Sequence, residues 1–375
     1  MKLKTKTKTK TKNISSSKKK TEIKKQKQLT VKQFNKLVFP FRHLEISKAE
    51  LLEDFQRLKE FNPIVLNINP TKFRIKEFQN EYVVFLENYY KYKNYYLITD
   101  YFSHPCRVKC IFNLKEDKSI LDLFNENKPK ILETFKKYNK PITFHNINEY
   151  IWRHFRQCTN FNTTVVVSVL KFFKPEKMLD FSAGWGDRLV GAIACEVDYT
   201  GVDPSTCMNP IYHKIIKTLA PETKKTKTKS RFSIRNKKST KSTKSSSRKY
   251  RIIQDGFENV NLSPKTYDLV FTSPPFFDME IYENVETQSV EKFNSVIKWK
   301  SGFLYPAIKK SYKYLKVKGH LALYITDFKD SNYIYDMKSY IKKNIKGFKY
   351  LGDLHWWDQN NKKTIRKIFV WKKIY

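Results

Sequence analysis

The sequence predicts an α/β fold: a doubly wound, mainly parallel sheet with a C-terminal antiparallel strand pair, plus an α+β N-terminal region. Two observations carry this. From about residue 159, short apolar runs of strand length alternate with helix-length segments, the pattern of successive β-α units. Four of those runs end on a distinctive polar residue: Asp180, Asp203, Asp255 and Ser273. A sheet of this kind binds ligand beyond the carboxyl ends of its strands.

The elements follow in order. Residues 31–61 read as helix, with Leu37, Leu44, Leu51, Phe55 and Leu58 near helical spacing. Residues 62–115 are rich in Tyr and Phe and interrupted by Pro63, Pro70 and Pro105, so they read as short strands and loops. Residues 118–157 read as helix again. The run 165–173 fits a strand by its β-branching, or a helix by the spacing of Val165, Val169 and Phe172. Strands are expected at 177–181, 199–202, 250–254, 267–272 and 320–326, with helices at 187–195, 213–219 and 301–315. Segments 348–357 and 364–371 read as the closing antiparallel pair.

A chain of 375 residues has room for two or three domains. Its 40% apolar and 15% aromatic content excludes a wholly disordered chain. The longest charge-free stretch, 157–170, is 14 residues, too short to span a bilayer. The polar, charged N-terminus has no apolar run, so no secretory signal is expected. Five cysteines (Cys106, Cys110, Cys158, Cys195 and Cys207) are an odd number in a long chain. They argue against a disulfide scaffold and for a reducing, intracellular compartment, without separating nucleus, cytoplasm and virion.

The net charge is +38, and segments 1–30 and 222–249 carry +11 each. Both are low-complexity Lys/Thr or Lys/Ser/Thr sequence and are expected to be a disordered tail and a disordered basic insert. The remaining 317 residues still carry +16. Such potential favours a polyanionic partner, DNA or RNA, although A/T-rich codons for Lys, Asn, Ile, Tyr and Phe also push composition this way. The expected division is the tail, an accessory region at 31–157 and an α/β domain at 158–375.

At the first strand–helix junction stands Asp180-Phe181-Ser182-Ala183-Gly184-Trp185-Gly186-Asp187-Arg188. Gly184 and Gly186 permit a tight turn and close approach of a ligand. Gly191 comes five residues after Gly186, where a dinucleotide fingerprint needs a small residue three after, so the spacing opposes NAD. The helix opens on Asp187, an acid where a pyrophosphate would need positive potential. A cofactor with a sulfonium and an amino group suits this loop better, with Asp180 as its carboxylate partner. Asp203 is placed to take two ribose hydroxyls, and Asp255 to accept from an adenine amino group.

The second constellation is Thr272-Ser273-Pro274-Pro275-Phe276-Phe277. Two prolines cannot extend a central strand, so the chain must leave the sheet here in a stiff loop. The Ser273 hydroxyl and the Pro274 carbonyl are then two fixed acceptors beside the Phe276 face. They fit an exocyclic amino group on a flat ring stacked on Phe276.

Here the chain resembles the S-adenosylmethionine-dependent amino-methyltransferases, which methylate exocyclic amines of adenine or cytosine. Their cofactor loop, D-P-F-A-G-S-G, is matched by Asp180 to Gly186; their catalytic loop, (D/N/S)-P-P-(Y/F/W), by Ser273 to Phe276. The fuller stretches 180–192 and 268–289, with Glu280-Ile281-Tyr282 and Gln288-Ser289, look like DNA methyltransferases of phages and large DNA viruses. Phe181 and Ser182 depart from the family's Pro and Phe, and Phe276 replaces the commoner Tyr while keeping a stacking face.

The resemblance covers about 158–375. It implies a Rossmann-like class I methyltransferase fold and S-adenosylmethionine as cofactor. It assigns Asp180, Ser182, Ala183, Gly184, Gly186, Asp203 and Asp255 to the cofactor, and Ser273, Pro274, Pro275 and Phe276 to a flipped base. Segment 159–173 would line the methionine end. The implied reaction is methylation of adenine N6 or cytosine N4 in DNA. The alternatives are an RNA N-methyltransferase, or a catalytically inactive nucleic-acid-binding protein of the same fold. Target recognition would fall to 31–157.

Other groups are discounted. His104, Cys106 and Cys110 lack a second C-x-x-C or paired His, so no metal site is expected. Cys195 and Cys207 flank the second strand in expected core or helix positions, which opposes a cytosine-C5 nucleophile there. Asp278 and Glu280 read as solvated loop acids, Tyr282 and Gln288 as candidates for a substrate-side loop, and Trp356 and Trp357 as packing of the last strand pair.

Overall fold

The structure, a computed structural model, describes residues 28–86, 95–112, 117–221, 248–275, 277, 280–282, 289–327, 331–357 and 365–375. Residues 1–27 of the tail, 222–247 of the insert, Phe276, Asp278 and Gln288 lie outside the described residues.

One eight-stranded sheet organises the chain. Its strands are β1 (Val84–Leu86), β2 (Lys177–Asp180), β3 (Asp198–Val202), β4 (Tyr250–Ile253), β5 (Tyr267–Thr272), β6 (Leu315–Tyr324), β7 (Phe348–Trp357) and β8 (Ile365–Lys373). The order is β1-β7-β8-β6-β5-β2-β3-β4, and only the pairs made by β8 are antiparallel. The chain runs outward from β2 through β3 to β4, then returns to the centre at β5. The reversal between β2 and β5 opens a crevice at their carboxyl ends, where ligands of such sheets bind.

The helices are α1 (Val31–Lys36), α2 (Arg42–Glu45), α3 (Lys48–Glu60), α4 (Pro70–Phe73), α5 (Tyr96–Arg107), α6 (Ile120–Glu126), α7 (Lys128–Lys137), α8 (Phe144–His154), α9 (Thr163–Phe173), α10 (Asp187–Ala194), α11 (Met208–Leu219), α12 (Ser289–Lys292), α13 (Val296–Trp299), α14 (Tyr305–Tyr314) and α15 (Tyr333–Asn344). A π-helical turn, Lys300–Leu304, leads into α14. Among the described residues no helix is long and apolar enough to cross a membrane.

Both faces of the sheet are covered, and strand residues alternate between the two cores. Met178, Leu269, Phe271 and Ala322 pack with α9, α10 and α11. Leu179, Val270, Leu321 and Leu323 pack with α14 and α15. The β-branched run of α9 is helical because it is buried all round and Asn162 caps it, accepting the Thr164 N–H at 3.0 Å. Gly191 lets α10 approach: a Cβ there would stand 2.3 Å from Val166 Cγ1.

Several expectations are corrected. The helix expected over 31–61 is three helices, broken around Pro40, whose ring disfavours helical backbone at Phe39. The 62–115 segment holds helix α5, in which Ile98, Phe102 and Cys106 are buried at every fourth position; Pro105 sits in its last turn. Helix α15 buries Tyr333, Met337 and Ile341 at the same spacing, which sequence reading passed over.

The cysteine expectation also fails: Cys106 is bridged to Cys207 and Cys110 to Cys158, leaving Cys195 as the free thiol. Sequence separations of 101 and 48 residues hid both pairs, which come together because α5 packs on α11 and beside the 155–162 connection.

The N-terminal region shares the main structure. Strand β1 joins the sheet parallel to β7, and Leu51, Phe55, Ile98 and Phe102 lie in one core with Val165 and Leu189. Farther along, Ile111 and Ile281 exchange both backbone hydrogen bonds, at 3.0 and 2.9 Å.

Candidate active site

β2 ends on Asp180, which is fully buried. Its carboxylate accepts from Arg188 Nε and the Tyr199 hydroxyl, both at 2.8 Å, and from the Ser182 N–H at 3.4 Å. Arg188, itself buried, also donates to the Ser182 carbonyl. The Asp180–Arg188 pair therefore fixes the loop from beneath. Asp180 is not among the residues lining the cleft described below.

The turn above it depends on two glycines. Gly184 and Gly186 have φ of 57° and 94°, the left-handed region that glycine adopts without strain. A Cβ on Gly186 would also come within 2.9 Å of Ile215 Cδ1, so α11 packs directly on the turn. Asp203, just beyond β3, accepts the Gly184 N–H at 2.7 Å and the Ser205 N–H at 3.0 Å. Tyr212 donates its hydroxyl to the Gly184 carbonyl. Burial pushes the Asp203 carboxyl up to about 6. Asp255, after β4, accepts from the Gly256 N–H at 2.7 Å and from Asn259 Nδ2 at 2.9 Å.

β5 delivers Ser273, Pro274 and Pro275 to the same sheet edge. Ser273 is half-buried and Pro274 buried. No partner takes the Ser273 hydroxyl among the described residues.

These loops enclose one cleft of about 860 Å³, its open mouth included. Ser182, Gly184, Asp203, Ser273 and Pro275 all line it. Ala183, Gly186 and Pro274 are not among its lining residues, and Asp255 is represented on its wall by its neighbour Gly256. The twin-glycine turn and the diproline bend thus share a cavity.

Several wall residues had no role in the sequence reading; Tyr282, a candidate there for a substrate-side loop, is the exception. Phe181 and Phe257 stack with centroids 5.0 Å apart, and Phe293 and Phe303 continue that aromatic end. Trp185 and Tyr282 meet edge to face at 5.4 Å. Lys292 pairs with Glu258 at the wall, linking α12 to the loop after β4. Phe257 follows Asp255 by two residues, a proximity that could have signalled it.

Asp187 does not face the cleft. It is 2% exposed, accepts the Phe161 N–H at 3.2 Å, and burial pushes it up to about 7. Its place at the helix start therefore says little about a phosphate, contrary to the sequence reading. Glu280 is likewise no solvated acid: it accepts the Tyr282 hydroxyl at 2.7 Å and the Thr159 N–H at 3.4 Å, and burial raises its pKa. His104 Nδ1 accepts the Arg42 N–H at 3.2 Å, and burial drives the imidazole down to about 3. Among the described residues no His/Cys/Asp/Glu group is arranged to hold a metal.

Strand order, a single antiparallel strand near the sheet's end, and a ligand cleft at the reversal point define the Rossmann-like class I methyltransferase fold. No protein-family model matches the sequence, and neither does any curated protein. Solved structures similar to it include a methyltransferase from Pyrococcus furiosus (13% identity, 57% of this chain and 84% of that one, TM-score 0.37). An rRNA methylase from Streptococcus thermophilus is also similar (13% identity, 53% and 87%, TM-score 0.32). So is magnesium protoporphyrin IX methyltransferase from Synechocystis, solved with bound SAM (11% identity, 59% and 89%, TM-score 0.35).

Proposed function

We propose that this protein is an S-adenosylmethionine-dependent N-methyltransferase acting on an exocyclic amino group of a DNA base, adenine N6 or cytosine N4. The observation that carries the reading is the shared cleft, which Gly184, Asp203, Ser273 and Pro275 all line. Asp203 fits a ribose diol, since a carboxylate accepts at about four sites and the two backbone N–H groups occupy one on each oxygen. Ser182 and Gly184 would hold the methionine end, and the aromatic end with Phe257 would hold adenine.

When bound, the cofactor supplies an electrophilic methyl group. The chain's own part is orientation. The Ser273 hydroxyl and the Pro274 carbonyl would accept the two N–H bonds of the substrate amine, turning its lone pair out of the ring. The net charge of +38 would draw in the phosphate backbone, an attraction that weakens steeply with salt.

The test is mass spectrometry of nucleosides from DNA and from RNA incubated with the protein and S-adenosylmethionine. N6-methyldeoxyadenosine or N4-methyldeoxycytidine is expected. Methylation of RNA alone would reassign the substrate, and no methylated nucleoside at all would contradict the reading.

A further inference from the structure

The wall of the cleft carries two aromatic pairs of different geometry. Phe181 and Phe257 lie nearly parallel, at 14°. The rings of Trp185 and Tyr282, in the same lining as Ser273 and Pro275, stand at 67° and form an inside corner. A flat ring laid on one face of such a corner meets the edge of the other, an arrangement aromatic quadrupoles favour.

The corner is held rigidly, and from several directions. Trp185 sits between two glycines of positive φ, and the Gly184 backbone is fastened on both sides by Asp203 and Tyr212. Tyr282 is tied by its hydroxyl to Glu280, which is tied in turn to the Thr159 backbone. Ile281 between them is locked to Ile111 by two backbone hydrogen bonds. The 31–157 segment thereby sets the position of a wall of the cleft.

We infer that Trp185 and Tyr282 are the positioning residues for the methyl acceptor, which must be a flat heteroaromatic base rather than an aliphatic amine. This rests on the transferase reading above and adds the residues that select the ring, beside the expected Phe276. Ser273 and Pro274 would then act on an amine whose ring plane the corner has already set.

The test compares the full chain, saturated with S-adenosylhomocysteine, binding a short single-stranded oligodeoxynucleotide and the same strand with abasic sugars. Backbone attraction is common to both, so their affinity ratio reports base contacts. The wild type should prefer the base-bearing strand about tenfold, the share of a stacked base. Trp185→Ala and Tyr282→Ala should each remove most of that preference. Trp185→Phe and Tyr282→Phe, which keep a ring, should restore it. S-adenosylhomocysteine affinity should stay constant throughout.

An unchanged ratio in both alanine variants overturns the inference, as does a parallel loss of S-adenosylhomocysteine affinity, which would place the rings at the cofactor end. Methyl transfer to the same DNA is scored separately. Transfer with an unchanged ratio removes the corner alone. No transfer, with the ratio still abolished by the variants, keeps the corner as a base site and removes the transferase reading.

Discussion

The backbone N–H of Gly184 donates to the Asp203 carboxylate at 2.7 Å, so the turn after β2 and the residue after β3 are one mechanical unit. The carboxylate is buried and raised to about 6, yet it lines the cleft. It is held there at a cost that a diol ligand could offset.

Asp203→Asn is expected to weaken S-adenosylhomocysteine binding by about 10- to 100-fold, the range for hydrogen bonds to a charged group. Isothermal calorimetry measures this directly.

The same residue predicts a pH dependence. Ligand donors favour the ionised carboxylate, so the free protein's raised pKa means binding is lost as pH falls through about 6 and is flat above it. Affinity should drop about tenfold per pH unit below that point. Asp203→Asn should show no such slope; a slope that persists in it would assign the titration to another group.

Arg188→Met should destabilise the fold by about 3–5 kcal/mol, because it leaves the fully buried Asp180 charge without its partner. The double variant Arg188→Met, Asp180→Asn should recover much of that loss. Chemical denaturation of the three proteins decides whether Asp180 acts chiefly by fixing the loop.

Non-reducing peptide mapping should recover linked peptides containing Cys106 with Cys207 and Cys110 with Cys158, with Cys195 open to alkylation. Under oxidising conditions Cys106→Ser should cost about 2–5 kcal/mol, as removal of a native bridge closing a long loop does. Equal stability with and without reductant would refute the bridges.

The sheet and the turns that frame its cleft were legible where local chemistry decides structure. Asp180, Asp203, Asp255 and the Ser273-Pro274-Pro275 bend stand out because strands that end on acids or prolines must turn there. What was not legible depends on partners distant in sequence. Arg188 is an ordinary helix residue until Asp180 lies beneath it. Tyr282 was named for a substrate-side loop, but the Ile111–Ile281 pairing beside it was not readable. Helix α5 was hidden by Pro105, although burial of Ile98, Phe102 and Cys106 outweighs one lost hydrogen bond. The cysteine pairs follow from that helix and could not be read before it.

The placement of the Ser273 hydroxyl over the same cavity as Asp203 is most directly tested by Ser273→Ala, assayed for tritium transfer to DNA and for S-adenosylhomocysteine affinity. A fall in kcat of about 100-fold or more with cofactor affinity unchanged is the expected result, the scale set by loss of one placed polar group at the reacting centre. Full activity in the variant, or an equal loss of cofactor affinity, would contradict it.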